Sequence, residues 1–128
     1  MSHPNAAVLE QIYAAFAKGD SATALAACAD NCTFQLAGKS RLAGKYNKAN
    51  FGGFFEKMKE LTGNTFKLDV HEIMASDRHG IVLASEMFNR QGDPVQLRTV
   101  HVWRFEGGKP VAWYQYPRDL YQFDSHFA

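Results

Sequence analysis

The sequence predicts an α+β domain whose helices cover one face of an antiparallel sheet. Three observations lead there: helical periodicity in the first half of the chain, four β-patterned segments in the second, and turn-formers between those segments. With 128 residues, 46% of them hydrophobic, the chain is expected to be one domain, 1–128, that buries a core without metal or disulfide staples. Its 14 basic and 13 acidic residues leave a net charge of +1. That balance removes the electrostatic term on which nucleic-acid and polybasic membrane binding depend. An uncharged, hydrophobic small molecule is the expected partner.

The elements follow in order. Between Pro4 and Lys18, Val8, Leu9, Ile12, Tyr13, Ala15 and Phe16 recur at helical spacing, and Gly19-Asp20 stops the helix. Ser21 is read as the N-cap of an Ala-rich helix from Ala22 to Ala29. Thr33 to Leu36 reads as a short strand, and Ala37 to Asn47, with Gly38, Gly44 and several cations, as a loop. From Lys48 to Leu61, Phe51, Phe54, Phe55, Met58 and Leu61 form one apolar helical stripe, ended by Gly63-Asn64. Four strands are then expected, Phe66 to Ala75, Gly80 to Arg90, Val95 to Phe105 and Pro110 to Tyr116, the last three forming a meander. Asp119 to Ala128, with Leu120, Tyr121, Phe123 and Phe127, reads as an amphipathic cap over the cavity mouth or against a second subunit.

Cys28 and Cys32 stand four apart with no further cysteine to complete a framework, which suits packing thiols in a reducing compartment. The start Met1-Ser2-His3-Pro4 lacks the charged and apolar regions of a signal peptide, so a cytoplasmic location is expected. No phosphate-binding Gly-rich loop, Gly-x-Ser-x-Gly elbow or metal-spaced His pair is present, and neither a cofactor nor a metal is expected.

Strand alternation decides which residues share a face. Thr99, His101, Trp103 and Phe105 lie on one side and Arg98, Val100, Val102 and Arg104 on the other; on the last strand Val111, Trp113 and Gln115 go together. The aromatic side is the one helices should cover. The other mixes valine with arginine and is a candidate homodimer surface, with Arg98 and Arg104 at its rim. A two-residue turn at Gly92-Asp93 would set Glu86 opposite Thr99 and diagonal to His101, within reach of a hydrogen bond. A loop shifted by one residue at each end would set Glu86 directly opposite His101. In either register Glu86 shares the His101 face, where desolvation raises a carboxyl pKa unless a cation pairs with it.

Three stretches, Val8-Leu9-Glu10-Gln11-Ile12-Tyr13-Ala14-Ala15-Phe16-Ala17-Lys18-Gly19-Asp20, then Ala43-Gly44, then His101-Val102-Trp103-Arg104-Phe105-Glu106-Gly107-Gly108-Lys109, resemble the SnoaL-like polyketide cyclases of the nuclear transport factor 2-like superfamily. The resemblance runs from about Val8 to Phe123. It implies a cone-shaped fold in which about three N-terminal helices and a curved, mostly antiparallel sheet enclose one deep pocket, usually in a dimer. Those cyclases move a proton with a strand His and a last-strand Asp. His101 stands at the first position and Gln115 at the second, and an amide cannot act as a general acid or base. Against the related ketosteroid isomerases, the helix-one Tyr falls on Ile12, the base near Leu36 and the protonated Asp on His101, so none of the three is kept and steroid isomerisation is not expected.

The candidate catalytic residues are therefore His101, Glu86, Gln115 and, as the nearest substitute for the missing Asp, Asp119. Tyr13, Tyr46, Phe51, Phe54, Trp103 and Trp113 are the candidate pocket residues. The expected reaction is proton transfer beside a carbonyl of a cyclic or polyketide-like substrate, as in a lyase, isomerase or cyclase; the alternative is a non-catalytic module that binds an apolar ligand or dimerises.

Overall fold

Helix α1 (Pro4–Ala17) opens with proline at its first position, where a missing N–H costs nothing, and His3 caps it by accepting from the Asn5 N–H. The computed structural model describes residues 3–128; Met1 and Ser2, part of the start read above for targeting features, lie outside them. Leu9, Ile12 and Tyr13 form the buried face of α1. Helix α2 (Ser21–Ala26) is shorter than its composition predicts, and its cap is Asp20, not Ser21: the Asp20 carboxylate accepts from the Thr23 N–H and hydroxyl. Cys28 and Cys32 consequently lie in the connection beyond α2, buried and free.

Strand β1 (Thr33–Leu36) is where the sequence places it, but the following segment is not all loop. Gly44–Asn47 forms β2, antiparallel to β1. Only Tyr46 on this edge strand is half-buried, so no alternation marked it in the sequence. Helix α3 (Phe51–Thr62) starts three residues later than expected, because Asn47 and Asn50 exchange side-chain-to-backbone hydrogen bonds of 2.7 and 3.0 Å in a turn that precedes it. Its end is as read: Gly63 takes the left-handed conformation, φ 60°, that closes a helix with least strain.

The remaining strands, β3 (Lys67–Ala75), β4 (His79–Arg90), β5 (Asp93–Glu106) and β6 (Lys109–Pro117), complete a six-stranded sheet of order β2-β1-β6-β5-β4-β3. All neighbours are antiparallel except β1 and β6. A bulge at His71 keeps both Val70 and Ile73 on the inner face despite their odd spacing. A second irregularity sets Pro110 opposite Phe105, so Pro110 is buried beside Phe105 and Val111, expected with Trp113 and Gln115, is only half-buried. Gly80 lets α1 approach β4 closely, since a β-carbon there would sit 2.5 Å from Leu9 Cδ1.

The β4–β5 hairpin corrects the predicted register. The turn residues are Gln91 and Gly92, with φ 54° and 88°, and Arg90 pairs with Asp93. Positive φ at both central residues with glycine second is the type I′ form, whereas Gly92-Asp93 would have made a type II′ turn with glycine first. Glu86 therefore lies opposite Leu97, and His101 opposite Val82. Helix α4 (Leu120–His126) follows β6 and buries Phe123; Phe127, just beyond it, packs against Phe88 with ring centroids 5.1 Å apart. Among the described residues, no helix is long and apolar enough to cross a membrane.

Candidate functional site

Helices α1 and α3 stand over the concave face of β3 to β6, and between them lies a half-open cavity of about 840 Å³. Aromatic side chains supply most of its wall: Tyr13 and Phe16 from α1, Phe51 and Phe54 from α3, Trp103 from β5 and Trp113 from β6. Exposed Glu10, Glu56, Lys59 and Lys67 stand at its rim. Three buried polar residues complete the wall, Glu86, His101 and Gln115. A concave apolar surface with a few convergent polar groups is the usual form of a small-molecule site.

With Tyr13, the polar residues fall into two linked pairs. His101 and Gln115 are direct cross-strand neighbours on β5 and β6. Gln115 reaches across β5 and donates from Nε2 to Glu86 Oε1 at 3.1 Å, while its own Oε1 is buried without a partner. His101 turns to α1 instead: its Nδ1 is 2.5 Å from the Tyr13 hydroxyl, which also accepts from Trp103 Nε1 at 3.0 Å. The direct Glu86–His101 hydrogen bond expected from the sequence is thus replaced by Glu86–Gln115 and His101–Tyr13. The shift of register is the reason, because it moves Glu86 farther along β4 from His101.

Burial sets the charges. Glu86 is 2% exposed, and desolvation pushes its pKa up to about 8, partly offset by the hydrogen bond from Gln115. Desolvation likewise pushes His101 down to about 3. The Tyr13 phenol is raised by burial, against the indole N–H groups of Trp103 and Trp113, which favour its oxygen. At pH 7 the wall therefore presents a mostly protonated carboxyl, a neutral imidazole and an amide. Such a site favours an uncharged ligand and holds one group, Glu86, whose proton is exchangeable near neutrality.

Of the remaining sequence candidates, Phe51, Phe54, Trp103 and Trp113 all lie on this wall. Tyr46 does not: its ring packs on Phe51 and Phe54, and its hydroxyl donates to the Leu42 carbonyl at 2.8 Å. Asp119 is exposed and caps α4 by accepting from the Gln122 N–H at 3.1 Å. It lines a separate surface depression with Arg98 and Arg118, away from Glu86 and His101. Sequence reasoning missed Phe16, Phe55 and Phe66 as wall residues, although Phe16 follows Tyr13 at helical spacing and Phe55 belongs to the α3 stripe. Among the described residues, no three His, Cys, Asp or Glu side chains gather as a metal set.

Helices laid over a curved, open sheet around such a cavity make a pocket protein with the nuclear transport factor 2-like fold. Within it, the chain belongs to the SnoaL-like family, whose domain matches residues 9–113. Similar solved structures include Bal32a from a soil-derived mobile gene cassette, 26% identical with a TM-score of 0.89 over 98% of this chain and 97% of that one. TerC co-crystallized with polyporic acid is 20% identical, TM-score 0.85, covering 98% of both chains. IdmH, a candidate polyketide cyclase from Streptomyces antibioticus, is 14% identical, TM-score 0.74, over 91% of this chain and 93% of its own. No curated protein matches the sequence.

Proposed function

We propose that the protein transfers a proton next to a carbonyl group of an uncharged, largely apolar cyclic substrate of polyketide-like size. The observation that carries this reading is Glu86: a carboxyl almost fully buried on the cavity wall, fixed by Gln115, with a pKa of about 8. A general base works best when its pKa lies near the working pH, and burial brings Glu86 there. In its ionised form Glu86 takes a hydrogen from carbon α to the carbonyl. The C–H bond breaks, a Glu86 O–H bond forms, and the electron pair moves to the carbonyl oxygen as an enolate. His101 lies on the same wall to receive that oxygen, and the unpartnered Gln115 Oε1 suits a hydroxyl on the ligand. The aromatic wall binds the ring system. The polyporic acid in TerC and the candidate cyclase IdmH support the cyclic, oxygenated character of the ligand.

Exchange of α-hydrogens for deuterium reads this step without knowledge of the product. With 2-tetralone and 1-indanone as probes in deuterated buffer, the protein is expected to accelerate exchange, with a rate that rises with pH and levels off above about pH 8. Glu86→Gln, which keeps shape and polarity, should lower the rate by roughly 100-fold or more. Unchanged exchange in that variant would overturn the assignment. One observation favours the second reading, a binding module: Gln115 stands where the cyclases carry a titratable Asp. A ketone held tightly in the cavity without any exchange would select it.

A further inference from the structure

The contacts around Tyr13 fix more than the position of His101. A phenol oxygen has two lone pairs and one hydrogen, whereas an indole N–H can only donate. Trp103 Nε1 donates to the Tyr13 oxygen at 3.0 Å. Of the two side-chain partners of the phenol only His101 Nδ1, 2.5 Å away, can accept, so that is where the Tyr13 hydrogen goes. The two rings are stacked nearly parallel, 16° apart with centroids 5.8 Å from one another. Nδ1 must then be the unprotonated nitrogen of a neutral ring.

We infer that Tyr13 is a positioning residue: it holds His101 in the Nε2–H tautomer and makes it a fixed hydrogen-bond donor to a ligand oxygen in the cavity. His101 lines that cavity, and Nε2 carries no hydrogen bond to any of the described residues. The division of labour follows. His101 cannot take a proton at Nε2, which already bears one, so within the proposed function the base is Glu86 alone and His101 stabilises the oxygen on which charge develops. This deepens the proton-transfer reading and rests on it for its catalytic part; the tautomer itself does not. The phenol faces inward and is consumed by protein partners, so Tyr13 does not itself contact the carbonyl.

The tautomer is tested directly by long-range proton–nitrogen correlation spectra of protein labelled with nitrogen-15 in histidine, recorded without ligand at pH 7. His101 is expected to show a protonated Nε2 and a bare, hydrogen-bonded Nδ1. A protonated Nδ1, a cationic ring or rapid averaging of the two neutral forms would overturn the inference. Tyr13→Phe should turn the single tautomer into a mixture, as should Trp103→Phe, which keeps the phenol but frees one of its lone pairs. If either folded variant left the His101 signature unchanged, Tyr13 would not be the determinant. In the 2-tetralone exchange assay, Tyr13→Phe should lower kcat about 10-fold with KM nearly constant. Loss of exchange in every form of the protein with the tautomer intact would end the proton-transfer reading and leave the Tyr13–His101 assignment standing.

Discussion

Glu86 and His101 are both neutral at pH 7 because both are buried, yet the two burials tilt stability in opposite directions. Glu86 holds its proton to about pH 8 in the folded chain, against 4.5 for an ordinary carboxyl. Between those values the unfolded chain has lost a proton that the folded one keeps, so stability falls with rising pH by about 1.4 kcal/mol per unit. His101 resists protonation down to about pH 3, against 6.5. Over that span the unfolded chain holds the extra proton, so stability rises with pH by a similar amount. From 4.5 to 6.5 the two slopes cancel; from 6.5 to about 8 the Glu86 slope stands alone. These groups therefore predict a plateau in weak acid and a loss of about 2 kcal/mol on its alkaline side. Glu86→Gln should abolish the alkaline loss and, with the cancelling slope gone, extend the acid limb up to about pH 6.5. Urea denaturation at unit steps from pH 4 to 9 measures both limbs, and an alkaline decline that survives in Glu86→Gln would remove Glu86 as its source.

The hairpin between β4 and β5 shows what was legible in the sequence and what was not. Alternation put Glu86, His101, Trp103 and Trp113 on one face, and that survived because all three registers pair odd with even numbers. The register did not survive, because it hangs on Gln91 adopting φ 54°, a conformation that glutamine rarely takes and its neighbours do not announce. The pairing of His101 with Tyr13, 88 positions away, was equally hidden. It depends on how α1 docks on the sheet, and periodicity reports only which face docks. Edge strand β2 escaped for want of alternation, whereas the long apolar strands and the α3 stripe were plain. Gln91→Asn tests the turn itself. Asparagine tolerates the left-handed region better than glutamine, so the variant should gain about 0.5 kcal/mol, seen as a higher urea midpoint at unchanged slope. A lowered midpoint would count against Gln91 as a turn residue and against the pairing of Glu86 with Leu97.

For the molecule as a whole, the sheet face turned away from the helices poses the remaining question. It carries Met74, Ile81 and Tyr116, between 38% and 53% exposed, and half-buried Val100, Val102 and Tyr114. Apolar side chains of this size gathered on one open face are costly to leave in water. The charges around them are arranged by strand: exposed Arg98 and Arg104 on β5, exposed Asp69 and Glu72 on the edge strand β3. We propose that the face is covered by a second copy of the chain. A two-fold axis brings the same patch together twice, so the arginines of β5 can meet the carboxylates of the partner's β3 while the apolar strip is shared. Neither helix face nor cavity takes part, and each copy keeps its own Glu86, His101 and Gln115. Sedimentation equilibrium should therefore give a dimer of 14.3 kDa chains. Val100→Asp, aimed outward and clear of the cavity, should yield monomers that retain the ultraviolet circular dichroism of the parent. A wild-type chain that sediments as a monomer at concentrations of tens of micromolar would refute the pairing, and so would a folded Val100→Asp variant that remained dimeric.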